Sequence, residues 1–159
     1  MIVRDATSED WPAIWAFLAR IVQAGDTFTY DPGMTEAEAK AIWLVDRTVV
    51  AVEPGELVVG TANMYANRPG PGAHVASGSF MVDPAHSGKG AGRALCEEAL
   101  AWAKREGYRA MQFNAVAESN TRAIALYESL GFETVGTVPE AFEHPALGYV
   151  ALCVMWRRL

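Results

Sequence analysis

The stretch Phe80-Met-Val-Asp-Pro-Ala-His-Ser-Gly-Lys-Gly-Ala-Gly-Arg93 constrains this chain more than any other. It reads as a strand that breaks into a glycine turn and opens directly into a helix. The run from His74 to Val82 is apolar and rich in small residues, and Asp83-Pro84 stops it, because proline has no N–H for a ladder and restrains the residue before it. From Arg93 onward, Leu95, Ala99, Leu100, Trp102 and Ala103 fall on one helix face, and Gly107 follows as a left-handed cap. Gly88, Gly90 and Gly92 lie between, leaving the backbone N–H groups of the helix entrance unshielded.

Such a turn, at the positive end of a helix dipole, suits a phosphate. Lys89 and Arg93 strengthen that reading, since each cation in a first helical turn opposes the dipole by roughly 0.3–1 kcal/mol unless an anion offsets it. The plainer reading is a solvated helix end. Two nucleotide motifs do not fit. A P-loop needs Ser or Thr after Gly88-Lys89, where Gly90 stands, and the dinucleotide fingerprint lacks its third glycine, Arg93 or Leu95 occupying that place.

The chain has 159 residues, enough for one domain that buries roughly 70% of its unfolded surface. Its net charge of −6 argues against a general nucleic-acid surface, so any polyanion must be met locally. No window reaches the ~20 apolar residues of a membrane span, and Met1 to Ala6 carries no leader pattern. Cys96 and Cys153 read as small buried hydrophobes, which fits a cytoplasmic protein, and the three histidines give no metal signature.

In order, Ile2 to Ala6 reads as a strand, a helix capped by Thr7 or Ser8 ends at Gly25, and Asp26 to Gly33 forms an aromatic loop. Thr35-Glu-Ala-Glu38 is a capping box for a helix to about Val45. Thr48 to Glu53 and Glu56 to Tyr65 are strands joined through Pro54-Gly55, and Asn67 to Gly72 is a loop. After the central strand, turn and helix come a strand from Ala110 to Ala115, a helix from Asn120 to Leu130, and strands from Glu133 to Val138 and Tyr149 to Arg157.

Ser-Gly-Lys-Gly-Ala-Gly92 resembles the coenzyme A pyrophosphate loop of the GNAT N-acetyltransferases, usually Gln/Arg-x-x-Gly-x-Gly/Ala, with Ser87 replacing the long polar side chain. The element order is that of the same family. Phe113-Asn-Ala-Val-Ala-Glu-Ser-Asn-Thr-Arg-Ala-Ile-Ala-Leu-Tyr-Glu-Ser-Leu-Gly-Phe132 is similar to its second signature, in which an Asn opens the helix and Leu-Tyr-x-x-x-Gly-Phe closes it.

The resemblance implies an α/β GNAT fold: a mixed central sheet of about seven strands, splayed in the middle, with about four helices, in a single domain over 1–159. It implies acetyl-CoA as acyl donor, with its pantetheine arm between Ser77 to Val82 and Ala110 to Ala115. Backbone amides near Met81 and Val82 would polarise the thioester, and Ser87, Gly88, Lys89, Gly90, Ala91, Gly92 and Arg93 would hold the pyrophosphate. Asn120 would contact the arm, and Tyr127 would protonate the departing thiolate. That last transfer is uphill by about 2 kcal/mol for a phenol near pKa 10 and a thiol near 8.5, so the site must shift one of them.

Gly136 to Tyr149, together with the Asn114-to-Asn120 spacing, is similar to a subgroup that includes fungal acetyltransferases acting on proline analogues. This suggests a small-molecule or amino-acid-like amine acceptor bounded by Phe28, Tyr30, Ser77, Asn114 and Tyr149. Phe28 and Tyr30 read equally well as anchors of their loop. His74, Glu118 and Glu143, or a water chain, are the candidate bases. Two alternatives stand beside this: acetylation of a protein N-terminus or lysine, and a non-catalytic acyl-CoA sensor. Neither a metal, a nucleic acid nor a membrane is expected as partner, and a homodimer through an exposed final strand stays open.

Overall fold

The computed structural model describes residues 1–45 and 47–159. Its elements are β1 (Ile2–Asp5), α1 (Trp11–Ala24), α2 (Glu36–Trp43), β2 (Arg47–Glu53), β3 (Leu57–Ala66), β4 (Val75–Val82), α3 (Ala91–Arg105), β5 (Ala110–Ala117), α4 (Thr121–Ser129), β6 (Glu133–His144) and β7 (Gly148–Arg158). The seven strands form one sheet in the order β1-β2-β3-β4-β5-β7-β6, with β4 and β5 parallel and the other pairs antiparallel. The mixed sheet and four helices expected from the sequence are present.

Alternation along β2 divides the core between the two faces of the sheet. Val50 and Val52 pack with Ile14, Phe17 and Leu18 of α1 and with Trp43 of α2, while Val49 and Ala51 pack with Leu95, Ala99 and Ala103 of α3. α4 joins the α3 side through Ile124 and Tyr127. Trp43 is buried because its indole N–H has a partner, Thr61 Oγ1 at 3.0 Å, and Thr61 donates in turn to the Val49 carbonyl at 2.9 Å. Cys96 and Cys153 are both buried and unpaired. No described helix is long and apolar enough to cross a membrane.

Two sequence expectations change. β6 does not stop at Val138 but continues to His144, and the interruption at Pro139 is absorbed by a register shift between Val138 and Phe142, with Glu140 at a φ of 50°. An edge strand tolerates this because the missing proline N–H faces no neighbour. The final strand β7 is not free to pair across a two-fold axis, because it lies between β5 and β6; β6 is the edge.

The entry to α1 is tied by charge. Thr7 N and Oγ1 both donate to Asp10 Oδ2, and Arg4 grips the same carboxylate with two 2.8 Å bonds. The Arg4 hydrogen bonds lead in holding the Asp10 carboxyl down at about 2, against an ordinary 3.8. A depressed acid stabilises the fold above its unfolded pKa and loses that contribution as pH falls through the folded one. Arg4 is partly exposed, so screening limits the effect to about 1–2 kcal/mol. Urea unfolding should therefore show Asp10→Asn less stable than the parent by about that amount at pH 6, with the gap narrowing steadily as pH is lowered below 4.

Candidate active site

β4 is bonded to β3 along its whole length, from Ala66↔Ala76 to Gly60↔Val82, but pairs with β5 only at Val75↔Ala110 and Ala76↔Met111. Beyond Ala76 the two strands part. Asp83 N donates to the Val59 carbonyl at 2.9 Å and Asn67 N to the Val75 carbonyl at 2.8 Å. In an antiparallel ladder these fix the phase: odd-numbered residues of β4 bond to β3, and Gly78, Phe80 and Val82 turn their N–H and C=O groups toward the gap. Of the two amides singled out from sequence, Val82's faces the gap and Met81's faces β3, with the Met81 side chain buried against the α1 side.

The exit of β4 is held rigidly. Asp83 accepts from Ala85 N at 3.1 Å, from Arg20 at 3.1 Å, and sits 3.3 Å from His86 Nδ1. The chain then passes Ser87 and takes positive φ at Gly88 (89°) and Gly90 (93°) before α3 begins at buried Ala91. Only glycine adopts these angles without strain, so the first amides of α3 are presented on an open shelf. A Cβ on Gly92 would meet Leu126 and Val82 at 3.5 and 3.7 Å, which marks how closely α3, α4 and β4 converge here.

The cations around the shelf are held by named partners. Lys89 lies 3.7 Å from Glu53, and Arg93 donates to Ser129 Oγ at 2.8 Å with Glu97 3.7 Å away. Arg122, which the sequence reading did not single out, donates to Ser87 Oγ, and its other terminal nitrogen lies 3.5 Å from where a Cβ on Gly88 would stand. It reaches the shelf from the first turn of α4. The clue that flagged Lys89 and Arg93, a cation opposing a helix dipole, applies equally to Arg122.

Below the shelf a cleft of about 340 Å³ opens between β4 and β5. Phe28, Tyr30, Ser77, Asn114, Asn120 and Tyr127 all line it, together with Tyr65, Ser79 and Phe113. Tyr149 does not; it is two-thirds exposed on the β6–β7 hairpin. Tyr127 stands among Phe113, Phe132 and Phe80, with ring centroids 4.6, 6.0 and 6.3 Å away. Burial, with buried Cys96 beside it, pushes the Tyr127 phenol far above its ordinary range. The group thus holds its proton at neutral pH. Asn120 accepts from Ala123 N at 3.2 Å as the cap of α4, leaving its Nδ2 without a partner among the described residues.

On the acceptor side, Phe28 and Tyr30 stack at 5.7 Å and 7°. Burial raises the Tyr30 phenol, which a hydrogen bond with the Ser79 side chain offsets in part. Asn114 donates to Asn67 Oδ1 at 2.6 Å and accepts from Gln112 at 2.9 Å, and it sits where β5 bulges away from β7 between Phe113 and Val116. None of the candidate bases reaches the cleft: His74 and Glu143 are exposed, and Glu118 accepts from Ala151 N at 3.0 Å outside it. Among the described residues, no group of three or more His, Cys, Asp and Glu gathers as a metal site would.

A split sheet with free amides, an anion shelf at a helix entrance and a protonated phenol in the gap define an acyltransferase. A sequence model of the acetyltransferase (GNAT) family matches residues 4–132, and the chain belongs to that family. N-acetyltransferase aca1 of Schizosaccharomyces pombe is 30% identical over 143 residues, 79% of this chain and 68% of that protein, which agrees with the fungal likeness. A GCN5-related N-acetyltransferase from Kribbella flavida superposes with a TM-score of 0.97 at 57% identity, over 99% of this chain and 97% of that one. yncA from Salmonella typhimurium, solved with its cofactor acetyl-CoA, superposes at 0.83 with 28% identity, over 100% and 94%.

The opening of the cleft leans on Gly78. A Cβ there would come within 2.9 Å of the Asn63 carbonyl and 3.3 Å of Phe80. Neither backbone nor a packed ring can yield cheaply. Gly78→Ala is expected to lower the urea-derived stability by about 1–3 kcal/mol.

Proposed function

We propose that this enzyme moves the acetyl group of acetyl-CoA directly to the amine of a small-molecule acceptor. The observation that carries the reading is the two-residue β4–β5 pairing, which leaves the amides of Phe80 and Val82 turned toward the gap, with Phe80 lining the cleft together with Asn120 and Tyr127. Unpaired backbone groups there are costly unless a ligand or water meets them. An extended amide-bearing arm is a chemically matched ligand, and the shelf from Ser87 to Arg93 matches the diphosphate to which such an arm is attached.

When bound, the coenzyme supplies an activated acyl group as a thioester. The chain's own residues do the rest. The positive φ values at Gly88 and Gly90 let backbone amides approach the phosphates, and Arg122 brings to Ser87 a long polar side chain of the kind that the family's Gln or Arg supplies at that position, with a positive charge. The Phe80 and Val82 amides fix the arm and polarise the carbonyl, an oxyanion-type contribution. Asn120 Nδ2 orients the same arm. Tyr127 keeps a proton on its hydroxyl for the departing sulfur; burial among phenylalanines raises the phenol and so widens the uphill gap, and the compensating shift falls to the thiolate, whose proton affinity the same desolvation raises. Positioning of the two reactants accounts for much of what remains.

Release of free coenzyme A thiol, followed against small amines, amino acids, proline analogues and basic peptides, tests the reading. Stimulation by small amines supports it, whereas stimulation by peptides alone moves the assignment to a protein acceptor. Tyr127→Phe keeps the packing and removes the proton, so kcat should fall about 100-fold with acetyl-CoA affinity within about twofold of the parent. Unchanged turnover would remove Tyr127 from the chemistry. Arg122→Ala should weaken acetyl-CoA binding about 10-fold by calorimetry at low salt, with a smaller loss at high salt and kcat nearly constant.

A further inference from the structure

The cleft that takes the acceptor is lined by aromatic rings, hydroxyls and carboxamides. Among the described residues none of its lining is a carboxylate, histidine, lysine or arginine. The charged groups on the elements around it are engaged or directed elsewhere. From α4, Arg122 turns to Ser87; beyond the end of β5, Glu118 binds Ala151 N; in the aromatic loop, Asp31 accepts from Gly33 N at 2.7 Å. Asp26, Arg68, His74 and Glu143 are not among its lining residues. Its titratable lining residues are Tyr30, Tyr65 and Tyr127, and burial keeps Tyr30 and Tyr127 protonated.

Two consequences follow from chemistry alone. A neutral amine and a thioester give an amide and a thiol with no proton left over: the C–N bond forms, the C–S bond breaks, sulfur takes the Tyr127 proton, and the proton shed by nitrogen restores Tyr127, directly or relayed through water. An ammonium acceptor must lose one further proton, and the cleft holds no base to receive it. A carboxylate on the acceptor would likewise enter without a cation to meet it, at a substantial desolvation cost.

Resting on the acetyl-transfer reading above, we infer that the site selects a weakly basic acceptor that enters as a neutral amine, carries no carboxylate, and lays a flat or aromatic group against the Phe28–Tyr30 stack. At pH 7 an α-amine of the peptide kind, with pKa 7.7–8.0, is neutral several hundred times more often than an alkylamine near 10.4. The structure therefore discriminates between amines through their own protonation.

Phenylalaninamide, phenylalanine and phenethylamine separate the terms, since they share a ring but differ in amine basicity and in the carboxylate. Acetyl-CoA binding is measured first by calorimetry, and kcat/KM for each acceptor is then followed by thiol release from pH 6 to 10. Phenylalaninamide is expected to exceed both others at pH 7 by at least 10-fold, and each profile should break at its own acceptor's pKa. A break at one pH common to all three acceptors, preference for phenylalanine over its amide, or acetyl-CoA binding without turnover of the amide overturns the inference. Failure to bind acetyl-CoA instead overturns the acetyl-transfer reading on which it rests.

Discussion

The cleft and the open backbone of β4 depend on the parallel pairing of β4 with β5 ending after two residues. β4 cannot follow β5 because seven pairs fix it to β3, and β5 cannot follow β4 because it is fixed to β7 and bulges between Phe113 and Val116. Phe80 and Phe113 meet edge to face at 5.5 Å within the gap, and Tyr127 packs on both, so the wedge is filled by rings on its α4 side. The backbone groups that a complete sheet would have paired stay open toward the cleft. Each would be worth about 1–3 kcal/mol if buried without a partner, so the gap is stable only as a place for water or a ligand.

The same split separates two kinds of recognition. On the acetyl-transfer reading the donor half is built mostly from backbone: the amides of β4, the left-handed glycines and the entrance of α3. It needs few particular side chains, which is why a serine at position 87 is tolerable. In a chain of net charge −6, the cations at that shelf are few and placed individually, with Arg122 and Arg93 seated by the hydroxyls of Ser87 and Ser129. The Ser87 hydroxyl leaves the Arg122 guanidinium its charge, whereas Glu53 beside Lys89 and Glu97 beside Arg93, each at 3.7 Å, compensate part of theirs.

Legibility from sequence follows this division. The strand, turn and helix from Phe80 to Arg93 were readable because proline and glycine punctuate them and because the helix has a regular apolar face. Asn120 and Tyr127 were readable through a motif whose parts are close in sequence. Arg122 opposes a helix dipole as Lys89 and Arg93 do, but nothing in the sequence ties it to the glycine turn, since its partner Ser87 lies 35 residues away and only the packing of α4 against the turn brings them together. The full length of β6 was hidden because Pro139 ends a strand in any interior position, and only its place at the sheet edge lets the ladder resume at Phe142. Tyr149 was grouped with the acceptor residues by its neighbourhood in sequence, but the hairpin carries it outside the cleft.

The acceptor half is the less legible because no single element owns it. Phe28 and Tyr30 come from a loop, Tyr65 from β3, Ser77 and Ser79 from β4, and Asn114 from a bulge in β5. Each residue has an ordinary structural reason to be where it is, as ring anchor, strand residue or hydrogen-bond bridge to Asn67. On the proposed reading specificity comes from their sum, a polar but uncharged wall, and such a property has no spacing or motif to betray it. On that reading the backbone that would bind the donor can stay constant while acceptor preference shifts with single side chains on four separate segments. A change that introduced one carboxylate into this wall would alter which protonation state of an amine is welcome without touching the shelf or the gap.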